Sequence, residues 1–370
     1  MGKVALWYKQ YVLPTVLVGS LTVGAGMFAL PYVFSRSGFW VGSLYLVFFT
    51  LIFIKINNDY AFIIGEHSGK YRFASYAGEH LGKTGFWASI LAVGVGLLLT
   101  LTVYVILSSS FWNLISSSGQ GISNYVFWAI SSLAIVASLK NLLNLNTLIS
   151  IAMVAIIVFI FFLGLDHGLP ATPSNIDLAK LLFPYGAVLF ALYSRASIGP
   201  LEDYYESAGL DWKKANFPIM LGTVIPAVLF LLFAVGVVGI SPSGATTDAV
   251  SGIINGTLLP LPVLGVLGLL TIWTSYVVIG TEIKDVLAND LRLHAPLALL
   301  VVTAVPVVLY TLGIGSFITL VGIIGAIFLA TECTLVILMR GKIKGELSLW
   351  DRLIIAMLVA GALHTSIVMF

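Results

Sequence analysis

Charged residues make up 9% of this sequence and hydrophobic ones 59%, so a charge set inside an apolar run is informative. Arg195 stands in such a run, Phe190-Ala191-Leu192-Tyr193-Ser194-Arg195-Ala196-Ser197-Ile198-Gly199-Pro200. An arginine at membrane depth costs roughly 2.5–3.5 kcal/mol on insertion scales, so it faces a cavity or a carboxylate. It can bind a substrate carboxylate, share a proton relay with an acidic residue, or form a structural ion pair. Glu332, in Phe328-Leu329-Ala330-Thr331-Glu332-Cys333, is the second deep charge. It can be a protonated carboxyl, a coupling group or the partner of Arg195. It can also lie near the membrane surface, since Arg340 follows about 12 Å further along a helix. A third group is Thr271-Ile272-Trp273-Thr274-Ser275-Tyr276. The hydroxyls of Thr274 and Ser275 can ligate a hard cation such as Na⁺ together with backbone carbonyls, or bond back to the carbonyl one turn earlier. Tyr104 and Tyr193 read as gates or pocket walls, or as ordinary packing aromatics. The histidines (His67, His80, His167, His294, His364) lie mostly in loops or near segment ends, and none pairs at metal-ligand spacing in a span. No metal centre is read from them. Ser-His-Asp and HExxH patterns are absent, and a non-enzyme is expected.

These residues sit in a chain of 370 residues with mean hydropathy +1.06, against roughly a quarter charged in soluble domains. A multi-pass membrane protein is expected. The basic residues form no stripe, which excludes nucleic acid. Cys333 alone allows no intrachain disulfide or cysteine metal cluster. Candidate spans lie near 12–34, 39–57, 86–115, 122–139, 145–165, 178–200, 216–240, 260–281, 296–313, 316–339 and 350–368. A short surface helix is expected within 64–83, and a loop folded over the outer face at 241–257. No cleavable leader is read at the start. With the N-terminus inside, Lys3, Lys9, Lys55, Lys70, Arg72, Lys83, Lys140, Lys213, Lys214, Lys284, Arg292, Arg340, Lys342, Lys344 and Arg352 are cytoplasmic, and only Arg36 and Lys180 are outside. That asymmetry orients the chain and puts the C-terminus outside.

The first span is interrupted by Val23-Gly24-Ala25-Gly26-Met27-Phe28-Ala29-Leu30-Pro31. Glycine weakens a helix interior and proline lacks an N–H. A break at membrane depth is buried in protein or lines a cavity. Its free N–H and C=O groups can hold a solute or an ion, although close packing through small residues explains the glycines equally well. The sixth span is interrupted around Arg195. Spans one to five and six to ten form two units. An odd number of spans per unit inverts the second. Interrupted segments at corresponding positions of inverted halves point to a transporter site.

The Val23–Pro31 stretch resembles the first-helix signature of the amino acid/auxin permease family, closest to its hydroxy/aromatic amino acid permease branch. Thr274-Ser275-Tyr276 with Gly280 and Asp285-Val286-Leu287 is similar to the family's eighth helix. Lys213-Lys214-Ala215 leading to Gly222-Thr223-Val224-Ile225-Pro226 is similar to its seventh. The resemblance implies a LeuT-like, APC-superfamily fold with helices one and six broken around a central amino-acid site. It implies that a substrate carboxylate meets the amides of Ala25, Gly26 and Met27. It also implies a cation between helices one and eight, held by carbonyls of Ser20, Val23 and Thr271 and hydroxyls of Thr274 and Ser275. Where aromatic permeases carry His-Gly-Asn in helix six, this chain has Arg195-Ala196-Ser197.

The expectation is an all-α integral membrane protein of eleven transmembrane helices in a LeuT-like 5+5 inverted repeat with discontinuous helices one and six. The first repeat covers 12–165, the second 178–339, and an added helix 350–368. The expected function is import of an amino acid by Na⁺ or H⁺ symport through a rocking bundle; a non-transporting amino-acid sensor of the same fold is the alternative. Substrate-binding residues are expected to be Gly24, Ala25, Gly26, Met27, Tyr104, Phe190, Tyr193, Ser194 and Arg195. Ser20, Val23, Thr271, Thr274 and Ser275 form the candidate Na⁺ site, and Arg195 and Glu332 are coupling candidates. No cofactor is expected other than Na⁺ as coupling ion. The partners are the substrate and the bilayer, and a monomer in the plasma or inner membrane is expected.

Overall fold

The computed structural model describes residues 3–67, 73–116, 121–137, 142–166, 180–241, 244–252 and 261–369. Lys70, Arg72, Lys140 and His167 lie outside them. The described residues are helical almost throughout. Among them, seven helices are long and apolar enough to cross a membrane, and a pair bent by 51° at its break makes an eighth if it is one span. Ile122–Val136 and Ala295–Thr311 are shorter apolar helices.

The bent pair is α1, Leu13–Thr22, and α2, Leu30–Ser37, joined through a 3₁₀ turn at Ala25–Ala29. Then follow α3, Phe39–Gly65, and α4, Phe73–Ser89, which is kinked where Gly82 takes φ 71°. The short helix expected in the 64–83 stretch is the first part of α4. A π turn carries α4 into α5, Gly96–Ile115. Next come α6, Ile122–Val136, and α7, Leu142–Leu165. The second interrupted segment is α8, Pro184–Ala191, a 3₁₀ turn at Arg195–Ser197, and α9, Ile198–Ser207. It continues further than 178–200, because its polar end Glu202-Asp203-Tyr204-Tyr205 is also helical. The chain ends with α10, Asn216–Gly239; α11, Leu261–Asp285; α12, Ala295–Thr311; α13, Phe317–Ile323; α14, Ala330–Lys344; and α15, Leu349–Met369.

Helix α10 packs on α1, α3 and α7, while α11 packs on α5 and α8 lies against the π turn Ile324–Leu329 between α13 and α14. Apolar helices gain nothing from water exclusion inside a bilayer, so small residues that let backbones approach carry these contacts. A methyl on Gly186 or Gly325 would overlap the backbone of the facing segment, and the same holds for Gly164 against Gly236. On Gly222 it would come within 2.6 Å of Val18 Cβ.

One cluster of charges is paired across three helices. Lys55 bridges Asp59, one turn along α3, and Asp351 at 2.6 Å; Arg340 Nε reaches Asp59 at 2.7 Å. Asp351 also caps α15: it accepts from Ser348 N and Oγ at 3.0 and 2.8 Å, while Ser348 Oγ accepts from Asp351 N at 3.1 Å. These two reciprocal bonds satisfy donors that a helix start leaves open. The described part of the 241–257 loop is pinned by Asp248. It accepts from Thr246 Oγ1 at 2.7 Å and Ser251 N at 3.1 Å, and Ser110 near the end of α5 also bonds to it. Burial raises the Asp248 pKa, but the hydrogen bonds from Ser110, Ser251 and Thr246 outweigh it and hold the carboxyl below the usual carboxylate range. A depressed folded-state value adds stability above the ordinary carboxylate pKa, and that stability is lost as pH falls through the folded value.

Gly325→Ala should destabilise the protein by about 1–3 kcal/mol, the usual cost of overpacking a tight contact. Gly199, with nothing within 4 Å of an added Cβ, should accept alanine with little change. Thermal unfolding of the two variants in detergent measures the difference.

Candidate functional site

The two helix breaks meet. Helix α1 ends where Val23 N donates to Gly19 O at 3.1 Å. Val23 then turns extended (ψ 102°) and Gly24 more so (φ −145°, ψ −157°) before the 3₁₀ turn begins at Ala25. The first amides of a helical segment have no acceptor within it. A Cβ on Gly26 would overlap Ala191, the last residue of α8. Glycine here permits one broken helix to lie directly on the other. Beside Gly24 stand Tyr104 Oη, 3.3 Å from where a Cβ would be, and Ser275 Oγ, at 3.5 Å. Tyr104 and Ser275 are hydrogen-bonded to each other.

Between the breaks is a cavity of about 30 Å³ lined by Leu21, Thr22, Gly24, Ala25, Gly26, Thr100, Tyr104, Phe190, Ala191, Tyr193, Ile279 and Leu329. That is room for on the order of two water molecules, each needing about 10–15 Å³ of such space. No lining side chain is charged. The walls are aliphatic and aromatic, with the hydroxyls of Thr22, Thr100, Tyr104 and Tyr193 as polar points.

Just beyond Tyr193, the second break places Arg195, 4% exposed, among acids and rings. Its Nε donates to Glu332 Oε1, and its Nη2 donates to Glu282 Oε1 at 2.9 Å and to Tyr193 Oη at 2.8 Å. Tyr193 Oη in turn donates to Glu332 Oε1 at 3.2 Å. The guanidinium carbon lies 4.5 Å from the Phe73 ring centre and 5.3 Å from that of Tyr60, within cation–π range. Among the described residues the charges do not cancel: one guanidinium faces two carboxylates, and Glu282 Oε2 and Glu332 Oε2 are both buried without a hydrogen-bond partner there. A buried carboxylate in that position is balanced by a proton or a further cation.

Residues 15–240, more than half of the chain, match the family of transmembrane amino acid transporter proteins. The chain belongs to that family. No curated protein sequence is significantly similar to it. Among solved structures, it is similar to the manganese transporter of Eremococcus coleocola at 14% identity and TM-score 0.66, over 99% of this chain and 87% of that one. It is similar to MhsT in complex with L-phenylalanine at 19% identity and TM-score 0.63, over 96% and 97%. It is also similar to Mhp1, a nucleobase-cation-symport-1 family transporter in a closed conformation with bromovinylhydantoin bound, at 12% identity and TM-score 0.61, over 88% and 76%. These likenesses show the LeuT fold, and the chain is a multi-pass membrane protein of the amino acid transporter family.

Within this transporter, Gly24, Ala25, Gly26, Tyr104, Phe190 and Tyr193 line the cavity. Met27, Ser194 and Arg195 do not. Met27 is fully buried. Ser194 Oγ accepts from Asn57 Nδ2 at 2.7 Å and donates to Leu192 O, while Asn57 also reaches Thr223 Oγ1 at 3.2 Å. This fully buried asparagine ties the second break to α3 and α10. Arg195 is turned from the cavity by its two acids. Of the candidate cation ligands, Ser275 stands against Gly24 near Val23. Thr274 Oγ1 bonds back to Thr271 O at 3.0 Å, Thr271 Oγ1 to Leu267 O at 2.8 Å, and Ser20 Oγ to Leu17 O at 3.1 Å. Glu332 is Arg195's partner and is 2% exposed.

Glu282 escaped the sequence reading because it stands two residues before Lys284 and three before Asp285, a pattern that looks like a solvated helix end. Its signal was the two-turn spacing from Ser275, which places both on one face of α11.

Arg195→Ala leaves two buried acids without their cation, which costs about 3–5 kcal/mol when a buried pair is broken. Adding Glu282→Gln and Glu332→Gln should restore most of the lost stability. Size-exclusion profiles and melting temperatures of the single and triple variants in detergent test this coupling.

Proposed function

We propose that the chain is a secondary active importer of neutral amino acids, coupled to an ion and working by alternating access. The observation that carries this reading is an uncharged cavity between two broken helices, next to a buried arginine with one acid in excess. The substrate carboxylate would meet the amides of Ala25, Gly26 and Met27 at the positive end of a half-helix, and its ammonium the last carbonyls of α8 at a negative end. Leu21, Phe190, Ile279 and Leu329 would take an apolar side chain. A cavity this small admits substrate only when its walls part.

The moving unit would be the bundle of α1–α2, α3, α8–α9 and α10, set against α5, α6, α11 and α12. This follows the eleven-span, 5+5 inverted arrangement with the N-terminus in the cytoplasm of a plasma or inner membrane, and the protein would act as a monomer. Arg195 belongs to the bundle side, Glu282 and Glu332 to other elements, so the ion pair would form and part as the bundle rocks. A proton on the second acid would reduce the charge that holds them. The ion shifts the equilibrium only by its differential affinity for the two arrangements. Proton coupling is favoured by the two unpartnered carboxylate oxygens. Na⁺ at Ser20, Val23, Thr271, Thr274 and Ser275 is the second reading, favoured by Ser275 Oγ beside the first break.

Proteoliposomes given an inward H⁺ gradient should accumulate small neutral amino acids, with Glu332→Gln losing gradient-driven accumulation while substrate exchange persists. Accumulation driven by Na⁺ alone and lost in Thr274→Ala/Ser275→Ala would select the second reading. Accumulation with neither gradient would overturn coupling, and no binding or transport of any amino acid would overturn the import reading.

A further inference from the structure

Away from the cavity, the end of α3 and the first part of α4 bring together three side chains whose chemistry the transport site does not use. His67 follows α3, and Glu79 and His80 lie on α4. His67 Nδ1 is 2.7 Å from Ile63 O. A carbonyl only accepts, so Nδ1 carries the hydrogen and donates it. The other ring nitrogen of His67, Nε2, lies 3.2 Å from His80 Nε2 and 3.4 Å from Glu79 Oε1. All three donor atoms lie within 4.8 Å of one another.

Two features of this geometry suit a metal ion. For bonds of about 2.0–2.1 Å to a tetrahedral zinc ion, ligand atoms sit roughly 3.3 Å apart; the two measured separations from His67 Nε2 straddle that value. The carbonyl bond at Nδ1 is the outer partner that orients a metal-ligating histidine and leaves its second nitrogen to the metal. The ring is also held edge-on to Tyr76, 4.9 Å between centres. Glu79 and His80 lie three and four residues after Tyr76, so each neighbours Tyr76 one turn along α4. Glu79 is half-exposed, which leaves room for water as a fourth ligand.

We propose that His67, Glu79 and His80 bind one divalent ion of the zinc class. Two imidazoles and one carboxylate suit zinc and its transition-metal neighbours; calcium and magnesium prefer all-oxygen sites. The ion would staple the end of α3 to α4. These helices supply Tyr60 and Phe73 to the walls around Arg195, so the staple would hold both walls together. On the orientation proposed above, the site faces the cytoplasm; the site itself does not depend on that reading.

The test is calorimetric titration of ZnCl₂ into EDTA-stripped, full-length protein in detergent, which requires no transport. One Zn²⁺ per chain is expected. His80→Ala should weaken binding roughly 100-fold, the upper end of what even an outer partner's loss costs, and CaCl₂ and MgCl₂ should give no binding. The melting temperature of metal-free His80→Ala should match that of the metal-free wild type, which shows the variant folded. Zn²⁺ should slow amide exchange in 60–67 and 73–80 of the wild type only. Absence of zinc binding, or binding by His67→Ala and His80→Ala as tight as that of the wild type, would overturn the site. Binding that leaves exchange unchanged would overturn the staple.

Discussion

A guanidinium buried among apolar helices must be neutralised within the protein, and the half of this molecule around Arg195 is arranged to do so. Four elements besides its own converge on that one charge: α3 with Tyr60, α4 with Phe73, α11 with Glu282 and α14 with Glu332. Lysine could not replace it, because only the planar fork serves two acids and a phenol together. The excess carboxylate makes the cluster responsive. It is satisfied by adding one positive charge, the property wanted of a coupling group.

The same accounting applies to the backbone. Hydrocarbon offers no partner for exposed peptide groups, so each interrupted helix must be covered by protein. Here the two interruptions cover one another, with Gly26 against Ala191, and Asn57 fastens the second to its neighbours. Close approach leaves a space of about 30 Å³. The cavity is small because the breaks are mutually packed, and enlarging it means separating them.

Much of this was legible beforehand. Gly24-Ala25-Gly26 and Arg195 stand out because glycine and arginine are costly in an apolar helix, and Glu332 because it is the acid in the tenth apolar run. The aliphatic wall, Leu21, Ile279 and Leu329, was illegible, since such residues fill every face of every span. Ser194 read as a binding hydroxyl because nothing local announces that Asn57, from a distant helix, takes it. His67 and His80 failed a spacing test designed for ligands on one helix, whereas the fold brings them together from two elements, the end of α3 and α4. In each case the missing information was a long-range contact between residues whose local patterns are ordinary.

The Lys55–Asp59–Arg340–Asp351 network bears on how the chain is made. Helix α3 is made before its partners with Lys55 and Asp59 spaced one turn apart, so the pair masks itself from the moment the helix forms. Arg340 and Asp351 are made later and bring one charge of each sign, so the network stays neutral before and after they join. Arg195 has no such local partner in its own segment. It waits for Glu282 and then Glu332. Until α11 is made, the growing chain therefore carries Arg195 without either of these carboxylates, the interval in which a membrane insertase or a neighbouring lipid phosphate would have most to hold.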